Sequence, residues 1–151
     1  GYGWRFADTV ASPDAYAKAT AFRAVIEPAA LLEPSYRLST DVIEALRSQQ
    51  RHLYERGFGT LTMGEIFQSG CAFHEAVIGG AGNPFYLEAL RRVNAIRRLI
   101  AYRTFSDRDG MRRHVREHLK LLDLLEAGDH AAAAKLMQRH LARPPRIRWK
   151  D

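Results

Sequence analysis

Apolar residues recur along this chain at three- and four-residue spacing, the period of helices that pack on one face. Ser12-Pro13 offers a side-chain cap with proline in the first turn, and Tyr16, Ala19, Phe22, Arg23, Ile26 and Ala30 follow at helical spacing. Pro28 is expected to kink or split this segment, because it lacks an N–H and its ring crowds the preceding turn. Ser39, Thr40 and Asp41 can cap a second helix with Val42, Ile43, Leu46 and Leu53 as its stripe, ending near Arg56 at the sequence GFGT. Thr62 and Glu65 have capping-box spacing, and the stripe behind them is Met63, Ile66, Phe67, Gly70, Phe73, His74, Val77 and Ile78. Gly79 and Gly80 suit the left-handed position that ends a helix, while Asn83-Pro84 begins a long one reaching about Tyr102. Ser106, with Asp109 three residues on, starts the next helix, which carries Val115, His118, Leu119, Leu122 and Leu125 before Gly128 closes it. Asp129 caps the last, with Ala133, Leu136, Met137, His140 and Leu141 inward. The pattern predicts an all-α antiparallel bundle of six or seven helices.

Composition narrows the function classes. The chain has 151 residues, about one domain in length, with 46% apolar and 26% charged residues. A single cysteine, Cys71, excludes an internal disulfide framework and a thiolate zinc knuckle, and points to a reducing compartment. No apolar run approaches the roughly 18 residues of a membrane span, and the start, GYGWRFADTV, lacks the layout of a signal peptide. A cytoplasmic location is the expectation. The net charge of +6 invites a nucleic-acid reading, but the arginines fall in separate groups at 91–98, 108–116 and 143–150. The first two groups have the helical spacing of a solvated face, which leaves the basic tail as the one patch-like segment. The glycines at 79–82 lead out of a helix, with no Lys-Ser/Thr following, which excludes a phosphate loop.

Three of the six histidines, His74, His118 and His140, occupy the apolar stripes of three different helices. A buried imidazole needs a hydrogen-bond partner or a metal to offset its desolvation. Three neutral ring nitrogens suit zinc, nickel or another borderline divalent ion and leave a coordination position open. His114 is four residues before His118 and nearer the edge of its stripe, His52 falls off its stripe, and His130 is in a first turn.

Three stretches resemble the all-helical FCD effector-binding domain of GntR-family transcription regulators: FRAVIEPAALLEP (22–34), AFHEAVIGGAGNPFYLEAL (72–90) and EHLKLLDLLEAGDHAAAAKLMQRHL (117–141). With the helices between them they cover about residues 12–142, and GYGWRF resembles the end of the winged-helix DNA-binding head that precedes this domain. The resemblance implies that the chain is part of a longer protein. Residues 1–11 are then linker or the end of that head, 12–142 the effector-binding domain, and 143–151 a basic tail. It further implies a divalent metal, Zn2+ or Ni2+, held by His74, His118 and His140, although Gly70 stands where the family has an aspartate ligand. Gln68, half a turn away, is a poor substitute.

A cation with open positions attracts a carboxylate, so the expected effector is a small organic acid or sugar acid, with Arg23, Arg97 and Tyr102 as ligand-binding candidates and Arg103 behind them. The resemblance implies a homodimer, for which Phe85, Tyr86 and Phe105 supply apolar surface, acting on operator DNA through the missing head. The competing readings are a three-histidine metal-dependent hydrolase and a ligand-free structural bundle. Against the hydrolase, the carboxylates nearest the histidines in sequence, Glu75 and Glu117, should point about 100° away from them.

Overall fold

The structure is a computed structural model that describes residues 12–104 and 107–149, with the backbone alone for 101–104. Six helices longer than two turns make up most of the described chain: α1 (Pro13–Leu31), α2 (Thr40–His52), α3 (Met63–Ile78), α4 (Pro84–Thr104), α5 (Arg108–Glu126) and α6 (His130–Ala142). No helix among the described residues is long and apolar enough to cross a membrane. The expectations placed on residues 1–11, the side chains of Tyr102, Arg103 and Phe105, and Ser106 fall outside the described residues.

Side-chain caps set the helix starts. Ser12, Ser39, Thr62, Asp107 and Asp129 each accept a hydrogen bond from a backbone N–H in the first turn, and the Thr62–Glu65 capping box is complete. The cap of α5 is therefore Asp107, whose Oδ1 lies 2.9 Å from the Gly110 nitrogen. Helix α1 runs unbroken through Pro28, correcting the expected split. Proline sits only three residues from the helix end, so its missing N–H removes one bond from a turn that is already terminating.

Four further expectations change. Phe22 is 44% exposed, because α1 turns Arg23 and Glu27 inward instead. Val42 is likewise on the surface. The second helix passes at Leu53 into a π-helical segment, Leu53–Gly57, which rotates the chain so that Leu53, Gly57 and Phe58 are all buried. Finally, Gly79 has ordinary right-handed geometry and opens a 3-10 turn, Gly79–Ala81; the left-handed residue is Gly82, at φ 70°. Gly80 answers a different need, since a Cβ there would stand 2.7 Å from the Arg37 carbonyl oxygen.

The most extensive helix contact is α1 against α6, with α3 against α4, α5 against α6 and α2 against α5 completing the bundle. The main core gathers Leu31, Tyr36, Phe73, Ile78, Leu90, Leu122 and Met137, and Tyr36 ties it to α3 through a 2.9 Å bond from its hydroxyl to the Val77 carbonyl. A smaller cluster of Leu53, Phe58, Ile66, Phe67, Cys71, Met111 and Val115 lies beside it. Leu122 has no exposed surface. Leu122→Ala is expected to lower the unfolding free energy by about 2–5 kcal/mol in a denaturant titration; a loss under about 1 kcal/mol would show that this core collapses around the gap.

Candidate metal centre

Helices α3, α5 and α6 bring His74, His118 and His140 to one buried point. Their Nε2 atoms form a triangle with every edge 3.2 Å. The stripe positions carry them inward, and Phe73, next to His74, stacks on the His118 ring at 4.0 Å between centroids.

The opposite nitrogen of each ring is engaged. His74 Nδ1 donates to Glu27 Oε2, His118 Nδ1 to Gln50 Oε1 at 2.9 Å, and His140 Nδ1 to Glu117 Oε2 at 2.6 Å. An ionised carboxylate only accepts, as does the amide oxygen of Gln50, so Nδ1 carries the proton and Nε2 presents a lone pair. Three lone pairs thus face one another with no protein donor between them. A tetrahedral ion with Zn–N bonds of about 2.0–2.1 Å spaces its ligand atoms about 3.3–3.4 Å apart, close to this triangle. Acceptors behind each imidazole also orient the rings and raise their basicity toward a cation. The donor set therefore fits a borderline divalent ion.

Glu27, Gln50 and Glu117 were not legible as site residues. Glu27 has no exposed surface and lies between Arg23, whose Nε is 2.5 Å from Oε1, and His74. Burial raises its pKa, but the charges and hydrogen bonds of Arg23 and His74 outweigh it and leave the carboxyl at about 2. An Arg-Glu pair at i, i+4 on an inward stripe was the available signal. Glu117 points away from His118, as expected, and reaches His140 on the neighbouring helix. Glu75 faces α4, where it accepts from Asn94 and Arg98. His114 is not in the triangle: its Nε2 donates to the Arg143 carbonyl at 2.8 Å, while its ring stands 4.0 Å from that of His140.

A cavity of about 60 Å3 opens beside the triangle, lined in part by Arg23, Gly70, Arg97 and Pro145. Gly70 leaves open space, with nothing within 4 Å of where a Cβ would stand. Arg23 and Arg97 are only 4% and 7% exposed. Gln68 is on the surface. The tail contributes a wall: after α6 it returns across the start of α5, the Arg143 carbonyl accepting from His114 and Arg113, the Arg146 N–H donating to Asp107, and Pro145 buried between them.

Burial, opposed by the Glu27 carboxylate, lowers the His74 pKa to about 4, and burial first, then the proximity of the His140 ring, brings His114 to about 3. His118 is also driven well below its ordinary value, first by burial. Between these values and the ordinary 6.5 the unfolded chain binds more protons than the folded one, so stability rises with pH through that window. Metal-stripped protein is accordingly expected to lose melting temperature as pH falls from about 6.5 toward about 4, and to vary little from histidine titration above about 7. A melting curve series in chelator over pH 4–8, flat across the lower half, would contradict neutral rings.

A family model described as the FCD domain matches residues 18–143, a span that includes the three histidines, Arg23, Arg97 and Gly70. No curated protein matches the chain at a significant level. With well over half its length matched, the chain belongs to the FCD family, the all-helical C-terminal effector-binding domain of GntR-type regulators.

Proposed function

We propose that this domain senses a small organic acid or sugar acid at a divalent cation, Zn2+ or Ni2+, held by His74, His118 and His140. The observation that carries the reading is the triangle of Nε2 atoms, each fixed as a lone-pair donor by an acceptor behind its ring. The bound cation supplies a Lewis-acidic centre that attracts a carboxylate. Around it, Glu27, Gln50 and Glu117 hold the rings, Arg23 and Arg97 line the cavity wall, and the tail shields the cavity from water.

A hydrolase would need a carboxylate on the open side to take a proton from bound water. Glu27 and Glu117 both act on the Nδ1 side instead. A ligand-free structural bundle accounts poorly for three inward lone pairs beside an open cavity. Effector binding transmits to winged-helix heads by favouring one arrangement of the helical domains in a homodimer, in proportion to its differential affinity for the two arrangements. Phe85, 75% exposed, shares a groove with Phe22 and Val93 on α1 and α4 that offers apolar surface for the partner protomer.

Metal analysis of the purified protein is expected to find about one divalent ion per chain, with His118→Ala losing it. Bound metal at 100 times its Kd adds about 2.7 kcal/mol, so chelator should lower the wild-type melting temperature by several degrees and leave the variant unmoved. Equal metal content and equal chelator response in both proteins would remove the site.

Gly70→Asp places a carboxylate one helical turn before His74, in open space. It is expected to tighten metal binding in a competition titration with a chromogenic chelator; weaker binding would show that the space faces away from the ion.

A further inference from the structure

Charge in the cavity wall is unbalanced. Arg23 and Glu27 neutralise each other in direct contact. Among the described residues Arg97 has no carboxylate within ion-pair distance and its Nε has no hydrogen-bond partner, and it is nine-tenths buried, with the Tyr16 hydroxyl beside it. The three imidazoles are neutral donors, and Gly70 brings no side chain at all. A divalent ion beside Arg97 therefore leaves an excess of positive charge: among the described residues Glu117 is engaged by His140, and Glu75 by Asn94, Arg91 and Arg98. A buried charge without a partner is strongly unfavourable, and a ligand that supplies the partner gains the difference.

Arg97 is also held ready. Its Nη1 donates to Asn94 Oδ1 at 2.9 Å, and Asn94 is itself fixed by a 3.0 Å bond from Nδ2 to Glu75 Oε1. The guanidinium carbon lies 5.0 Å from the centre of the Phe67 ring and 5.9 Å from that of Tyr16. Such a clamped, half-satisfied guanidinium is a receptor for a carboxylate, because little rotamer freedom remains to be lost on binding.

We infer that the ligand of this cavity is a short dianion, a dicarboxylate with one acid group for the ion at the three histidines and the other for Arg97. The inference rests on the proposed metal and acid reading and sharpens it to a ligand class. The cavity of about 60 Å3 limits the chain length. That is space for several waters, the scale of a short diacid and not of a long-chain one. Asn94 is a positioning residue in this scheme, acting through Arg97.

Calorimetric titration of zinc-loaded full-length chain with malonate and succinate, against acetate and propionate, tests the class directly. A second charge-assisted contact is worth about tenfold to a hundredfold in Kd, so the diacids should bind tighter by that factor. In Arg97→Gln the preference should collapse with zinc content unchanged, and Arg97→Lys should restore part of it. Equal affinity for mono- and diacids in the wild type, or a diacid preference that survives Arg97→Gln, overturns the dianion while leaving the acid sensor standing. Zinc-loaded protein that binds no acid of either kind overturns both. Should the arginine variants fail to fold, the wild-type comparison alone decides.

Discussion

A carboxylate with no exposed surface, Glu27, is the constraint on which the centre of this domain depends. It is kept ionised by Arg23 one turn earlier on α1, and it is joined to His74 on α3. Removing Arg23 would leave the Glu27 charge buried without compensation, an arrangement that proteins tolerate poorly. The bond from His74 to Glu27 joins α1 to α3 in a single register. That register sets the rotation of His74 and, through the 3.2 Å spacings, the positions available to His118 and His140. Polar specificity at this one point accounts for the inward turn of α1, which sets Phe22 on the surface although it is an apolar residue one position before Arg23.

The same logic distributes roles among helices. α3, α5 and α6 present the ring nitrogens, while α1, α2 and α5 supply the acceptors that orient them, so five elements or their contacts converge on a space of a few ångströms. α4 contributes differently: it holds Arg97 by way of Asn94, which is fixed in turn by Glu75 of α3. The cavity thus has a neutral, electron-donating side and a cationic side, and the chemistry of any occupant follows from that polarity.

Periodicity and capping made most of the fold legible. Helix stripes place side chains with a fixed geometry, and Ser12, Thr62 and Asp129 declare helix starts through local bonds. The three histidines were found for the same reason, as polar residues on apolar stripes. Which carboxylate serves which ring was not legible, because that is decided by packing between helices distant in sequence. Glu117 adjoins His118 in the chain and binds His140, and Glu27 lies 47 residues from the ring it orients. Gly79, Gly80 and Gly82 could not be told apart from composition, since one is an ordinary cap, one accommodates a neighbouring carbonyl and one supplies a positive φ. The π-helical segment after His52 is likewise a tertiary outcome, with no local signal to separate it from a continued α-helix.

His140 sits two residues before the end of the last helix. A growing chain leaves the ribosome from its amino end, so the third imidazole emerges only after α1 to α5 have been made. Until then the two earlier rings lack their partner, and the nascent domain cannot offer the complete set of donors. Loading with the proposed ion would thereby wait for the last of the six helices, and capture earlier in synthesis would be disfavoured by the order of the helices alone.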